Sequence, residues 1–155
     1  MMSMKTIITT QQVVELAFVP EGVMTAAKIT IADIVVAESK YLIPIIGESL
    51  YDALMAGSYT SLCEDYVAPM VAAWARYVAE PRLAGRLGVG YDNDFSEADN
   101  DARDAIVMRL RHTAATFSRR LSDYLNAHSD QFPEYNPIDN PLNHCMIDGG
   151  IVQIF

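Results

Sequence analysis

From residue 97 to about residue 128 the chain holds one helical period for roughly nine turns. Ala102, Ile106, Leu110, Thr113, Phe117, Leu121 and Tyr124 recur at three-and-four spacing on one face, with Ala114 and Leu125 beside them. Arg103, Arg109, Arg111, Arg119 and Arg120 fall mainly elsewhere. Acids precede the first turn and arginines follow later, which suits the helix dipole. This segment sets the frame for an all-α, multi-helix bundle with a long C-terminal helix, a flexible mid-chain loop and short β-prone terminal arms.

The earlier segments fit that frame. "TIITT" reads as a short strand or extended arm, after which Thr9 or Thr10 caps a brief helix carrying Val13, Val14 and Ala17. Pro20 and Gly22 end it. A second helix starts near Thr25 or Thr30 and runs to about Leu42, with Ile31, Ile34, Val35 and Leu42 on one side and Glu38 as the polar exception. Within "AESKYLIPIIGESLYDAL", Pro44 is expected to break that helix and Gly47 to supply a left-handed cap. The stretch thus reads as a tight helix–corner–helix with its isoleucines turned inward. The next short helix buries Leu50, Ala53 and Leu54 and stops at Gly57.

A longer helix follows from about Ser61, marked by Tyr66, Met70, Trp74 and Tyr77 with Val67, Val71 and Val78 beside them. Pro69 is tolerable in its first turns, whereas Pro81 should bend or end it. Residues 85–97 lack periodicity and read as a flexible loop. A helical domain over 1–135 is then followed by an extended tail, 136–155, which cannot continue a helix past Pro133, Pro137 and Pro141. Its end, Ile151 to Phe155, is β-prone and is expected to pair with "TIITT" or to join a neighbouring subunit's sheet.

Charge and cysteine usage narrow the partners. The net charge is −9, which argues against general nucleic-acid binding through a basic surface. Residues 76–120 nevertheless carry eight arginines and no lysine, while residues 91–101 carry five acids and no base. That separation suits a complementary protein surface, against the alternative of an ordinary solvated helix face. Cys63 and Cys145 make neither a disulfide framework nor a zinc spacing. No apolar run approaches the ~18 residues that span a bilayer. The expectation is a soluble, unexported chain that meets no membrane.

Motifs for catalysis fall short. Asp92, Asp94 and Ser96 match the first ligands of an EF-hand loop, but Glu97 stands where glycine is needed and Arg103 where the bidentate glutamate belongs. His144, Cys145 and Asp148 lie close in sequence, yet neighbours on an extended segment point apart. "GRLGVG" has no strand–turn–helix context. Cys63 reads as a small, half-buried residue. The expectation is a chain without catalytic residues, cofactor or metal.

Four segments occur in order: "IITTQQVVELAFV", "AESKYLIPIIGESLYDAL", "YVAPMVAAWARYV" and "SRRLSDYLNAHSDQFPEY". Over roughly Thr6 to Tyr135 this pattern resembles a family of small phage and prophage head–tail connector, or head-completion, proteins. The resemblance implies a non-enzymatic structural protein that forms a ring or another homo-oligomer beneath the portal. It further implies portal or tail partners, no specific nucleic-acid sequence, and a path from the host cytoplasm into the virion. "NHCMIDGGIVQIF" departs from the pattern. On this reading the interface residues are Arg109, Arg119 and Arg120, the acids Asp92 and Asp94, and the tail residues Ile151, Val152, Ile154 and Phe155. The alternatives are a helical adaptor module that binds a host or phage protein, and a small enzyme using His144, Cys145 and Asp148.

Overall fold

Helices begin where a threonine can take up the first free backbone donors. The chain is described here by a computed structural model covering residues 5–18, 28–87, 97–148 and 151–154. Thr9 opens α1 (Thr10–Ala17) with a reciprocal cap: Gln12 N–H donates to Thr9 Oγ1 at 3.2 Å, and Thr9 N–H to Gln12 Oε1 at 2.8 Å. Val13 is buried, with Val14 and Ala17 packed beside it. The expected stops, Pro20 and Gly22, lie outside the described residues. Residues 5–9 form no strand, contrary to expectation. No sheet neighbour is at hand, so Ile8 is buried in the helical core, and Ile7 N–H donates to Glu38 Oε2 at 2.7 Å.

Thr30 starts α2 (Ile31–Ala37), its N–H and hydroxyl both donating to Asp33, at 2.9 and 3.1 Å. The side turned to the core is Asp33, Ile34, Ala37, Glu38 and Leu42. The expected face is therefore slightly rotated: Ile31 is exposed and Val35 half-buried. α2 passes without a break into a π-turn, Glu38–Leu42, in which Ile43 N–H reaches back five residues to the Glu38 carbonyl. A single turn, α3 (Ile43–Ile46), follows, with Pro44 as its second residue.

Pro44 thus does not break the helix as expected. It sits in a first turn, where its missing N–H costs little. The break is at Gly47, with φ +82° and ψ 159°. That is a glycine region, although not the left-handed helical one that was expected. A Cβ there would touch nothing within 4 Å, so the demand for glycine is conformational rather than steric. Ile45 and Ile46 do pack inward.

α4 (Glu48–Met55) buries Leu50 and Leu54, with Ala53 only half-buried. It ends in a Schellman motif: Gly57, at φ +92°, donates its N–H to Leu54 O, and Ser58 to Ala53 O, both at 3.0 Å. α5 (Thr60–Leu62) then enters a second π-turn, Cys63–Val67, which continues into α6 (Ala68–Leu87). Pro69 is the second residue of α6, as Pro44 is of α3. The two π-turns correspond position by position, and a tyrosine, Tyr41 or Tyr66, stands three residues before each proline. Pro81 lies on the exposed side of α6 and does not end it.

α6 is the hub of the bundle and packs against α7, α1 and α2. Met70, Val71, Ala72, Trp74, Ala75, Ala79 and Leu83 are all buried, so small residues let neighbours approach on more than one side. α7 (Glu97–Ala127) is the long helix. Its burial is confined to the second half, at Ala114, Ser118, Leu121, Ser122 and Leu125. None of residues 101–113 is buried. The uniform face expected from residue 102 onward is corrected accordingly: Ala102, Ile106 and Thr113 are exposed, with the last two at the edge of a hollow between α1, α6 and α7. The expected loop at 85–97 is shorter at both ends, since α6 reaches Leu87 and α7 begins at Glu97; residues 88–96 lie outside the described set.

Beyond α7 the chain stays packed. Phe132, Tyr135 and Asn140 are buried, and Leu142 packs against the core. Short 3₁₀ turns, Pro137–Asp139 and Pro141–Asn143, each start at an asparagine whose side chain accepts a backbone N–H. Asn140 Nδ2 also bonds Ser122 Oγ and the Tyr135 hydroxyl, both at 2.9 Å, which ties the turns to α7. The extended tail expected from residue 136 is in this part a set of anchored turns. β1 (Cys145–Asp148) and β2 (Ile151–Ile154) then pair antiparallel, Cys145 with Ile154 and Asp148 with Ile151. The β-prone end therefore takes the nearest segment as its partner, for which loop closure is cheapest, and does not pair with "TIITT".

Candidate interaction surface

The docked half of α7 lies between two grooves that share Ala115 and Arg119. The first, about 510 Å³, runs between α7, the π-turn ahead of Pro44 and the turn at 141–142. Tyr41 forms its wall, stacked face to face on Trp74 with ring centroids 3.7 Å apart and planes within 5°. Trp74 Nε1–H donates to Ser118 Oγ at 2.7 Å, a buried bond that satisfies both polar groups. Pro44 and Leu142 add apolar lining, and Lys40, Arg111 and Arg119 supply three cations. Among the described residues the lining contains no acid.

The second groove, about 740 Å³, is more open and has the other π-turn tyrosine at its edge. Tyr66 stacks on Tyr124 at 4.1 Å, and the Arg120 guanidinium covers Tyr66 at 4.5 Å while donating to Asp65 O at 3.0 Å. His112 and Asp123 complete the polar lining. Each π-turn thus places one tyrosine against an aromatic partner beside the same helix.

A third hollow, about 280 Å³, lies across the bundle between α1, α6 and α7, where Arg76 and Arg109 meet Ala17, Ile106 and Phe117. Arg109 therefore stands apart from Arg119 and Arg120. Asp92, Asp94 and Phe155 lie outside the described residues. Ile151, Val152 and Ile154 form β2. Exposed apolar side chains on α7 are Ile106 and Met108, the latter 71% exposed.

Buried charge holds the π-turn side of the grooves in place. Arg82 grips Asp33 with two bonds, 2.7 and 2.9 Å, and reaches the Lys28 carbonyl at 2.8 Å. Burial pushes the Asp33 carboxyl up, but hydrogen bonds from Arg82 and Thr30 outweigh it and hold the group below the usual carboxylate range. Glu38 is the opposite case. Burial raises its carboxyl, and the bonds it accepts from Ile7 N–H and the Tyr51 hydroxyl (2.8 Å) do not cancel that. Cys63 is half-buried as expected, its thiol pushed up by burial and then by Glu64 and Glu38.

The segment holding His144, Cys145 and Asp148 offers less. His144 is exposed, with Nε2 2.6 Å from the Ile138 carbonyl, and Cys145 and Asp148 occupy opposite ends of β1. Among the described residues, no group of three or more His, Cys, Asp or Glu is placed to hold a metal ion. No helix among them is long and apolar enough to cross a membrane.

Lys40, Tyr41 and Arg111 were not among the expected interface residues. Their signal was the repeated "YLIP" and "YVAP", which puts a tyrosine at the same position of each π-turn. No curated protein and no solved structure matches this chain. One family matches residues 42–143, from the last residue of the first π-turn to the final 3₁₀ turn. That span covers about two thirds of the chain and takes in both grooves except for Lys40 and Tyr41. The chain belongs to DUF6712, a family of unknown function.

Proposed function

We propose that the chain is a non-enzymatic assembly subunit, a head–tail connector of a phage or prophage that works by joining copies of itself into a ring. The virion setting, with portal or tail proteins as partners and passage from host cytoplasm into the particle, rests on the four sequence segments quoted above. The observation that carries self-assembly is the first half of α7. Residues 101–113 include none that is buried, and they present Ile106 and Met108 to solvent. A helix stretch with no fully buried residue gains less from its own subunit than from a neighbour that covers it.

The test is the mass of the purified chain against concentration, alone and with a phage portal protein, with electron microscopy of any complex. Closed rings of uniform copy number are expected. A chain that stays monomeric at all concentrations and in the presence of the portal overturns the proposal. The adaptor reading finds support in the cation-lined groove, and it predicts a monomer that pulls down one host or phage protein at fixed stoichiometry.

A further inference from the structure

We propose that the Lys40–Arg111–Arg119 groove receives the acidic first turns of α7 from a second copy of the chain. The proposal rests on the self-assembly reading and gives it a specific contact. On a chain of net charge −9, the described residues lining this groove include three cations and no acid, a local charge opposite in sign to that of the whole molecule. The charge that complements it is in the same sequence. Glu97, Asp99, Asp101 and Asp104 all belong to the opening turns of α7.

The first three of these acids cannot reach the groove within one molecule. Asp101 stands ten residues before Arg111 on a continuous helix, which holds the two about 15 Å apart along the axis. Glu97 is farther still. The helix is a rigid spacer, so Glu97, Asp99 and Asp101 can meet such a groove only between copies, while Asp104, seven residues before Arg111, stands about 10 Å from it along the axis. Asp101 and Asp104 are exposed, as are Lys40 and Arg111 on the receiving side. Such a contact joins two different surfaces, head to tail, and closes into a ring if the rotation per subunit allows. Apolar depth comes from Tyr41, Pro44 and Leu142, which form the groove's uncharged lining.

Charge reversal on each side gives a self-checking experiment. One variant carries Lys40→Glu with Arg111→Glu, the other Asp101→Lys with Asp104→Lys, and circular dichroism confirms that both keep the parent helicity. Sedimentation of the parent should show association that weakens about tenfold or more between low and high salt. Each variant alone should be monomeric where the parent associates. An equimolar mixture should associate again, because each variant's groove then meets a helix end of opposite charge. Trp74, the single tryptophan, lines the groove beneath Tyr41, so its emission should shift in the mixture and in neither variant alone.

Unchanged association of either variant, or a mixture that remains monomeric, overturns the groove assignment. If the parent still forms rings in that case, the assembly reading stands without this contact. A parent that is monomeric alone yet assembles with the portal likewise overturns the groove assignment and leaves the assembly reading in place. A parent monomeric under both conditions ends both.

Discussion

The two halves of α7 share a backbone and little else. From Ala114 onward, Leu121, Leu125 and the small residues Ala114, Ser118 and Ser122 lie against α6 and the tail turns, all buried. Before Ala114 the same helix carries no buried residue from Asp101 on. Apolar side chains continue through both halves at helical spacing, so periodicity alone does not bury a face. A close covering element does, and among the described residues only the second half is packed tightly enough to bury any side chain fully. The first half stays helical because it propagates from a docked nucleus.

The largest expected effect tests that contrast directly. Leu121→Ala should remove about 2–5 kcal/mol of unfolding free energy, as full burial of a leucine implies. Ile106→Ala, 15 residues earlier at a position 38% exposed, should cost no more than about 0.5 kcal/mol. Urea unfolding of the two variants, with the slope checked for two-state behaviour, measures both. Similar losses would mean that the first half is covered after all, for instance in an oligomer.

A smaller effect concerns pH and should belong wholly to the packed side. Glu38 is buried with its carboxyl raised above the ordinary 4.5, so the folded chain holds that proton more tightly than the unfolded one. Its contribution favours folding below the ordinary value and is lost as pH rises through the raised one. Asp33 runs the other way: its depressed carboxyl stabilises above its ordinary 3.8, and that contribution is lost as pH falls through the folded value. Between mildly acid and neutral pH the Glu38 contribution therefore dominates the difference between parent and Glu38→Gln. Thermal midpoints should show the variant gaining on the parent as pH rises to neutral. A constant difference across that range would remove Glu38 as the cause.

Smallest of all should be Ala105→Gly in the exposed half, at most ~1 kcal/mol of local helicity. Global unfolding should be unchanged, while amide exchange speeds up from Asp101 to Thr113 and stays slow from Ala114 to Ala127. An effect that reached the docked half would show that the two halves unfold as one.

Much of this architecture was legible in the residues. Thr9, Thr30, Gly47 and Gly57 mark helix ends because caps and positive-φ stops are local chemistry. The inward turn of Ile45 and Ile46 followed from the same corner. What stayed hidden depends on contacts distant in sequence. Nothing near Ile106 distinguishes it from Leu121, since the difference lies in how closely α6 and the tail turns pack at each position. Asn140 reads as a turn residue, and only its bonds to Ser122 and Tyr135 make it a fastener for the chain's last third. Of the candidate surface, Arg119 and Arg120 were legible as part of a basic run, whereas Lys40 and Tyr41 entered through a π-turn that shifts the helical phase between Ala37 and Ile43.

That shift gives the π-turns a further consequence. A regular helix cannot lose a residue from its middle without turning everything upstream by about 100°. Each π-turn already holds one residue more than an α-turn needs, so deletion of Ser39 would leave continuous helix through Pro44. The surplus residue is absorbed within the wide turn, so Asp33 would keep facing Arg82 and Ile34 the core. The loss would fall on the wide turn itself, which carries Tyr41 on the groove.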